Sequence, residues 1–191
     1  MNYTFQPQET KKHNVFISFH HKNEDKKIDF ENLHGEHFIS KSVQNGDIDP
    51  ENEDEYTKKL IQENYISDSS VLIALYGANT HERKHVDWEI SAALSAKVGG
   101  HSGFVVLLLP DFPVSPFNEQ GVYDASRLYS YLHPRTADQI KSGYAQVYYW
   151  PGMYPNLPEV QVSDLIQDAF DRRVSHKHLI DNSSLQYKNN R

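Results

Sequence analysis

Asn14-Val15-Phe16-Ile17-Ser18-Phe19 decides the architecture of this chain. The run is nearly all apolar and rich in β-formers. It reads as a strand buried on both faces, and such strands belong to parallel sheets covered on both sides. Ser70-Val71-Leu72-Ile73-Ala74-Leu75-Tyr76, closed by Gly77, and Phe104-Val105-Val106-Leu107-Leu108-Leu109, closed by Pro110, repeat the pattern. His37 to Val43 and Val147-Tyr148-Tyr149-Trp150 are two further strand candidates.

Helical spacing fills the gaps. Lys22 to Leu33 carries Ile28, Phe30 and Leu33 on one weak face. A helix is expected after Pro50, with Asn52 and Glu55 spaced as a capping pair and Tyr56, Leu60, Ile61 and Tyr65 as its apolar side. Val86 to Val98 holds Val86, Ile90, Ala93, Leu94 and Lys97 on one stripe and is stopped by Gly99-Gly100. Val160 to Val174 turns Val162, Leu165, Ile166, Ala169 and Phe170 inward. Strands alternating with helices predict a three-layer α/β/α fold of flavodoxin-like kind with a five-stranded parallel sheet and right-handed crossovers. One domain is expected over residues 13–174. A polar lead (1–12) precedes it and a polar, mobile tail (175–191) follows it. Pro113, Pro116 and Pro134 mark a long excursion at about 111–145, with a short helix near Thr136–Ser142.

Composition narrows the function. A formal charge of -7 argues against a duplex nucleic-acid partner, whose phosphates require Lys and Arg. The chain has no cysteine, which excludes disulfides and thiolate chemistry and predicts a reducing, cytoplasmic setting. Met1 to Lys12 is polar and does not read as a signal peptide, and the longest apolar run, Phe104 to Pro110, is too short to cross a bilayer. Aromatics reach 12%; most serve as packing, but flat faces also suit purine and nicotinamide rings.

Open parallel sheets bind ligands beyond the carboxyl ends of their strands, where the strand order reverses. Here that rim carries Phe19-His20-His21-Lys22-Asn23, Gly46 to Pro50, and Gly77 to His85. No G-x-G-x-x-G follows the first strand and no G-x-x-x-x-G-K-[ST] occurs, so neither a Rossmann dinucleotide site nor a P-loop is expected. Helical spacing puts Glu89 beside Val86 and Ala93, at the border of the buried stripe and facing the rim. Burial raises the pKa of such a carboxyl and the helix N-terminus lowers it, which leaves the net sign open. His81-Glu82-Arg83-Lys84-His85 matches the zinc-protease pattern H-E-x-x-H. Its context, a sheet-end loop entering a helix after Gly77-Ala78-Asn79-Thr80, speaks against that chemistry, and no metal is expected.

Three segments carry a family resemblance: Val15-Phe16-Ile17-Ser18-Phe19-His20-His21, Asn45-Gly46-Asp47-Ile48-Asp49-Pro50, and Arg83-Lys84-His85-Val86-Asp87-Trp88-Glu89-Ile90. In this order they resemble a TIR domain, and more closely the divergent TIR-like branch of bacterial Thoeris antiphage systems. The resemblance covers about residues 13–110 well and the rest weakly. It implies cleavage of the nicotinamide–ribose bond of NAD, as substrate rather than cofactor, with Glu89 as the essential residue. It also implies a cyclic or otherwise modified ADP-ribose product, a diffusible signal that activates a nucleotide-sensing effector, and an enzyme that works as a homo-oligomer. The chain departs from the pattern at His85, where many relatives carry Trp; a Trp stands at 88 instead. Around Glu89, the expected substrate-binding residues are Ser18, Phe19, His20, His21, Asp47, Ile48, Lys84 and Trp88. Phe19 and Trp88 would stack on rings, and His20, Lys22 and Lys84 would meet phosphates. The rival reading is a non-catalytic TIR-type interaction module.

Overall fold

Continuous apolar runs leave no face for water, so the chain pairs them edge to edge and covers both sides with helices. The computed structural model describes residues 11–42, 54–96, 100–154 and 160–191. Its strands are β1 (His13–Phe19), β2 (Phe38–Ser40), β3 (Val71–Tyr76), β4 (Gly103–Leu108) and β5 (Gln146–Tyr149). They form one sheet in the order β2-β1-β3-β4-β5, every pair parallel. The helices are α1 (Glu24–His34), α2 (Asp54–Leu60) with a π-helical turn at Ile61–Ile66, α3 (Lys84–Leu94), α4 (Pro134–Ser142) and α5 (Val162–Ser175). This is the three-layer arrangement expected from the alternation of the sequence.

Strand alternation divides the core in two. Phe16, Leu72, Ala74, Tyr76, Phe104, Val106 and Leu108 meet Ile61, Ile66 and the α3 residues Val86, Ile90, Ala93 and Leu94. Val15, Ile17, Ile73, Leu75, Val105 and Leu107 meet Phe30 of α1 and Val162, Leu165, Ile166 and Ala169 of α5. The second layer lies so close that a Cβ on Gly103 would sit 1.9 Å from the Ala169 carbonyl oxygen. Only glycine permits that approach of helix to strand.

Several expectations change. On α1, Ile28 and Leu33 are exposed, and Phe30 with Lys27 faces the core. Lys27 lays its aliphatic stem along the core and keeps its ammonium 2.7 Å from Glu31, so a cation replaces the expected apolar stripe. Tyr56 of α2 is also exposed. The third helix ends at Leu94 rather than Val98: Ser95 is extended and its hydroxyl donates to the Ser91 carbonyl. The excursion belongs to the core, since Leu128, Leu132 and Tyr144 are buried beside α3 and β4. The expected mobile tail instead folds back on the domain, because its backbone polar groups satisfy buried partners on α3 and α4. The loop Asn45 to Pro50, the Asn52 cap, Lys97 and Val98 lie outside the described residues.

Candidate active site

The chain leaves β1 for β2 on one side and then places β3 on the other, so the order reverses between β1 and β3. Ser18 lies there, near the carboxyl end of β1 and opposite Ala74. Alternation from Phe16 turns its side chain toward α3. β3 leads into α3 through a tight turn: the Thr80 hydroxyl accepts from Gly77 N at 3.0 Å and donates to the Leu75 carbonyl at 3.3 Å. A Cβ at Gly77 would meet Asp111 Oδ1 at 2.7 Å and Asn23 Oδ1 at 2.9 Å, so a larger residue there would push these two rim side chains aside.

α3 then brings Glu89 to Ser18. The Ser18 hydroxyl donates to Glu89 Oε2 at 2.5 Å. Glu89 keeps partial exposure while Ser18 is fully buried. Burial pushes the Glu89 carboxyl up to about 8, and the Ser18 hydrogen bond, which favours the ionised form, only partly opposes it. Neither Lys84 nor Arg83 forms an ion pair with it among the described residues. A half-buried carboxyl held this way at the sheet rim, with no counter-cation among the described residues, can answer positive charge that arrives with a ligand.

Other expected site residues are placed differently. His20 is buried, and its Nδ1 accepts from Lys22 N at 2.9 Å, which leaves the ring proton on Nε2. Burial first, then His21, Arg83 and Lys22, push it down to about 4, with Asp111 opposing. Burial thus disfavours the imidazolium, so His20 would meet a phosphate as a neutral Nε2–H donor rather than as a cation. His21 is exposed and its ring lies 4.3 Å from that of His20. Phe19 packs on the α1/α5 side with Tyr148, Trp150 and Phe170, on the sheet face opposite Ser18. Trp88 is buried and donates from Nε1 to the Tyr187 carbonyl at 2.8 Å, with Lys84 Nζ 4.9 Å and Lys58 Nζ 4.8 Å from its ring centre. The buried ring is thus already engaged by two protein cations, and neither Trp88 nor Lys84 joins the Ser18–Glu89 pair. Asp47 and Ile48 lie outside the described residues. The H-E-x-x-H pattern does not form one helical face: His81 and Glu82 sit in a 3-10 turn, Arg83 is extended, and His85 lies in the first turn of α3.

The model of the family described as Thoeris protein ThsB, TIR-like domain, matches residues 16–111, just over half of the chain. The chain belongs to that family. The match runs from β1 through α3 to Asp111, so it contains both members of the Ser18–Glu89 pair. It makes this TIR-like domain part of a Thoeris antiphage defence family. No curated protein matches the chain. Among the described residues, no helix of the TIR-like domain is long and apolar enough to cross a membrane.

The sequence placed Asn23 and Arg83 on rim segments without giving either a site role, and it missed Asp111 at the rim and Asp87 with Arg135 behind it. One signal was available for Asp87: an acid one position from the apolar stripe of a core helix needs a buried cation. Arg135, just after Pro134 at the start of α4, supplies it at 3.1 Å.

Proposed function

We propose that this TIR-like domain cleaves NAD at the nicotinamide–ribose bond, and that Glu89 stabilises the positive charge that develops on the ribose. One observation carries the reading: a carboxyl at the switch point of a parallel sheet, bonded, among the described residues, to a single hydroxyl and to no cation. Breaking this bond gives the ribose oxocarbenium character, which a nearby carboxylate steadies. Nicotinamide leaves as a neutral molecule, so no general acid is required. Ser18 occupies Oε2 and leaves Oε1 to the ribose hydroxyls. The rim cations Lys22 and Arg83, whose fields reach His20, suit the diphosphate better than Lys84 does. NAD enters as substrate, and the product is a cyclic or modified ADP-ribose that signals to a nucleotide-sensing effector.

Incubation of the purified protein with NAD tests this reading. Nicotinamide release that is abolished by Glu89→Ala, with a modified ADP-ribose identified by mass spectrometry, is the expected result. Protein that never consumes NAD, even in lysate from phage-infected cells, rejects it and leaves the interaction module.

A further inference from the structure

Residues 181–191 form no regular secondary structure, yet they grip α3 along its length. Arg83, extended at the helix start, offers no side-chain cap. Asn190 supplies one from the far end of the chain, its Oδ1 accepting from Lys84 N at 3.0 Å, and Arg191 N donates to the Glu82 carbonyl at 2.9 Å. One turn on, Tyr187 N donates to Asp87 Oδ2 at 2.8 Å while its carbonyl accepts from Trp88 Nε1. Further along, Asn182 Nδ2 donates to the Ser91 carbonyl at 3.0 Å and to Ser95 Oγ at 3.2 Å.

α4 ties this strap in place. Arg135 Nε donates to Asp87 Oδ1 at 3.1 Å, and its two terminal nitrogens donate to the carbonyls of Asn182 (3.1 Å) and Ser184 (2.5 Å). Arg135 and Asp87 are each only 1% exposed. His133 Nε2 donates to the Arg83 carbonyl at 3.0 Å, holding the residue before α3.

The sheet therefore holds α3 through Val86, Ile90 and Ala93, and the strap holds it through Asp87, Trp88, Ser91 and Ser95. Glu89 lies between the two grips. Without the strap, α3 is held mainly by apolar packing on the sheet and on the turn after α2, which restrains its rotation less than directional hydrogen bonds do. With side chains reaching about 5–6 Å from the helix axis, a roll of about 20° moves a carboxylate by ~2 Å. That is comparable with the whole Ser18–Glu89 hydrogen bond of 2.5 Å.

We propose that the C-terminal strap 181–191, tied by Arg135, is a positioning element of the active site: it fixes the rotation of α3 and so seats Glu89 against Ser18. The proposal rests on the reading of Glu89 as the catalytic group. Among the described residues Ser18 is its hydrogen-bond partner, and no charged side chain from β1, β3, α4 or the turn after α2 contributes to its environment. Its titration therefore reports its seating rather than a change of ion pairing.

Two variants test the strap: a chain ending at Ile180, and the milder Asn190→Ala, which removes only the exposed cap. The expected result is a kcat for NAD cleavage at least tenfold lower in the truncated chain and about threefold lower in Asn190→Ala, with KM within twofold. The acid limb of the pH profile should move below 8, and a synthetic peptide of residues 181–191, added in trans, should restore both properties. A truncated chain that keeps its circular dichroism spectrum, its kcat and its pH limb overturns the proposal. If truncation unfolds the protein, an unchanged kcat and limb in Asn190→Ala overturns it. A second readout needs no catalysis: the pH dependence of the stability difference between Glu89 and Glu89→Gln chains, measured with and without Asn190→Ala. If the intact protein cleaves no NAD, the functional reading falls, and this readout still decides whether the strap seats Glu89; identical pH dependence in both backgrounds overturns the seating.

Discussion

Ser18 and Glu89 form a small titrating unit whose two partners act in opposite directions. Burial favours the protonated carboxyl and the Ser18 hydroxyl favours the ionised one. Ser18→Ala therefore raises the Glu89 pKa further. The acid limb of kcat/KM should move up from about 8, and activity at pH 7 should fall about tenfold for each unit moved. Stability follows the same linkage. Because the folded pKa lies above the unfolded value of 4.5, the native state holds the extra proton between 4.5 and about 8. The stabilising effect of the protonated carboxyl is complete below 4.5 and is lost as pH rises through 8. Urea unfolding at pH 5 and pH 9 should show Glu89→Gln gaining on the parent as pH rises, by roughly 1–3 kcal/mol after discounting for the partial exposure of the side chain. A flat difference across that range removes the buried-carboxyl account. NAD binding adds a second consequence. The nicotinamide cation should favour ionised Glu89, so binding below pH 8 should release a proton, measurable by titration calorimetry in two buffers of different ionisation enthalpy.

At the scale of elements, close approach and buried polar ties set the tolerances. Gly103→Ala places a methyl group against the α5 backbone at Ala169 and should cost about 2–3 kcal/mol or more, seen as a drop in Tm with little change in KM. Asp87→Asn leaves Arg135 buried without its carboxylate and should cost roughly 3–5 kcal/mol in urea unfolding. These elements also show where the sequence could be read. β1, β3 and β4 were plain because strands buried on both faces are apolar at every position. α5 was plain because its stripe is regular. α1 misled because the stem of Lys27, rather than Ile28 or Leu33, covers the core, and a hydrophobicity pattern treats Lys as polar throughout. The strap was illegible for another reason. Its ties run largely through main-chain atoms, namely Tyr187 N and O, Asn182 O, Ser184 O and Arg191 N, and main-chain atoms leave no trace in residue types. The border position of Glu89 was legible from the helical stripe and its proposed role only from the family resemblance, while its Ser18 partner had to come from a strand 71 positions away. Trp88 misled because its position beside Glu89 gave no hint that the strap would cover it.

For the whole molecule, the acidic surface and the all-parallel sheet fit a small-molecule site at one rim better than a polyanion-binding face. The strap joins regions far apart in the chain, so local stability should not follow sequence position. Amide exchange at Tyr187 and Arg191 should report the same opening free energy as the first turn of α3, rather than the rapid exchange of a loose terminus. Exchange at those amides at the rate of free peptide, with α3 still protected, contradicts the clamp.

The separation between the two partners also sets a schedule. Trp88 and Tyr187 are 99 positions apart, so a ribosome finishes α3 well before the residues that clamp it. At ordinary elongation rates that interval lasts roughly 5–20 s. A nascent chain stalled before residue 180 should carry a complete sheet and a protease-sensitive α3. The NAD cleavage proposed above would then stay low until translation had passed the strap.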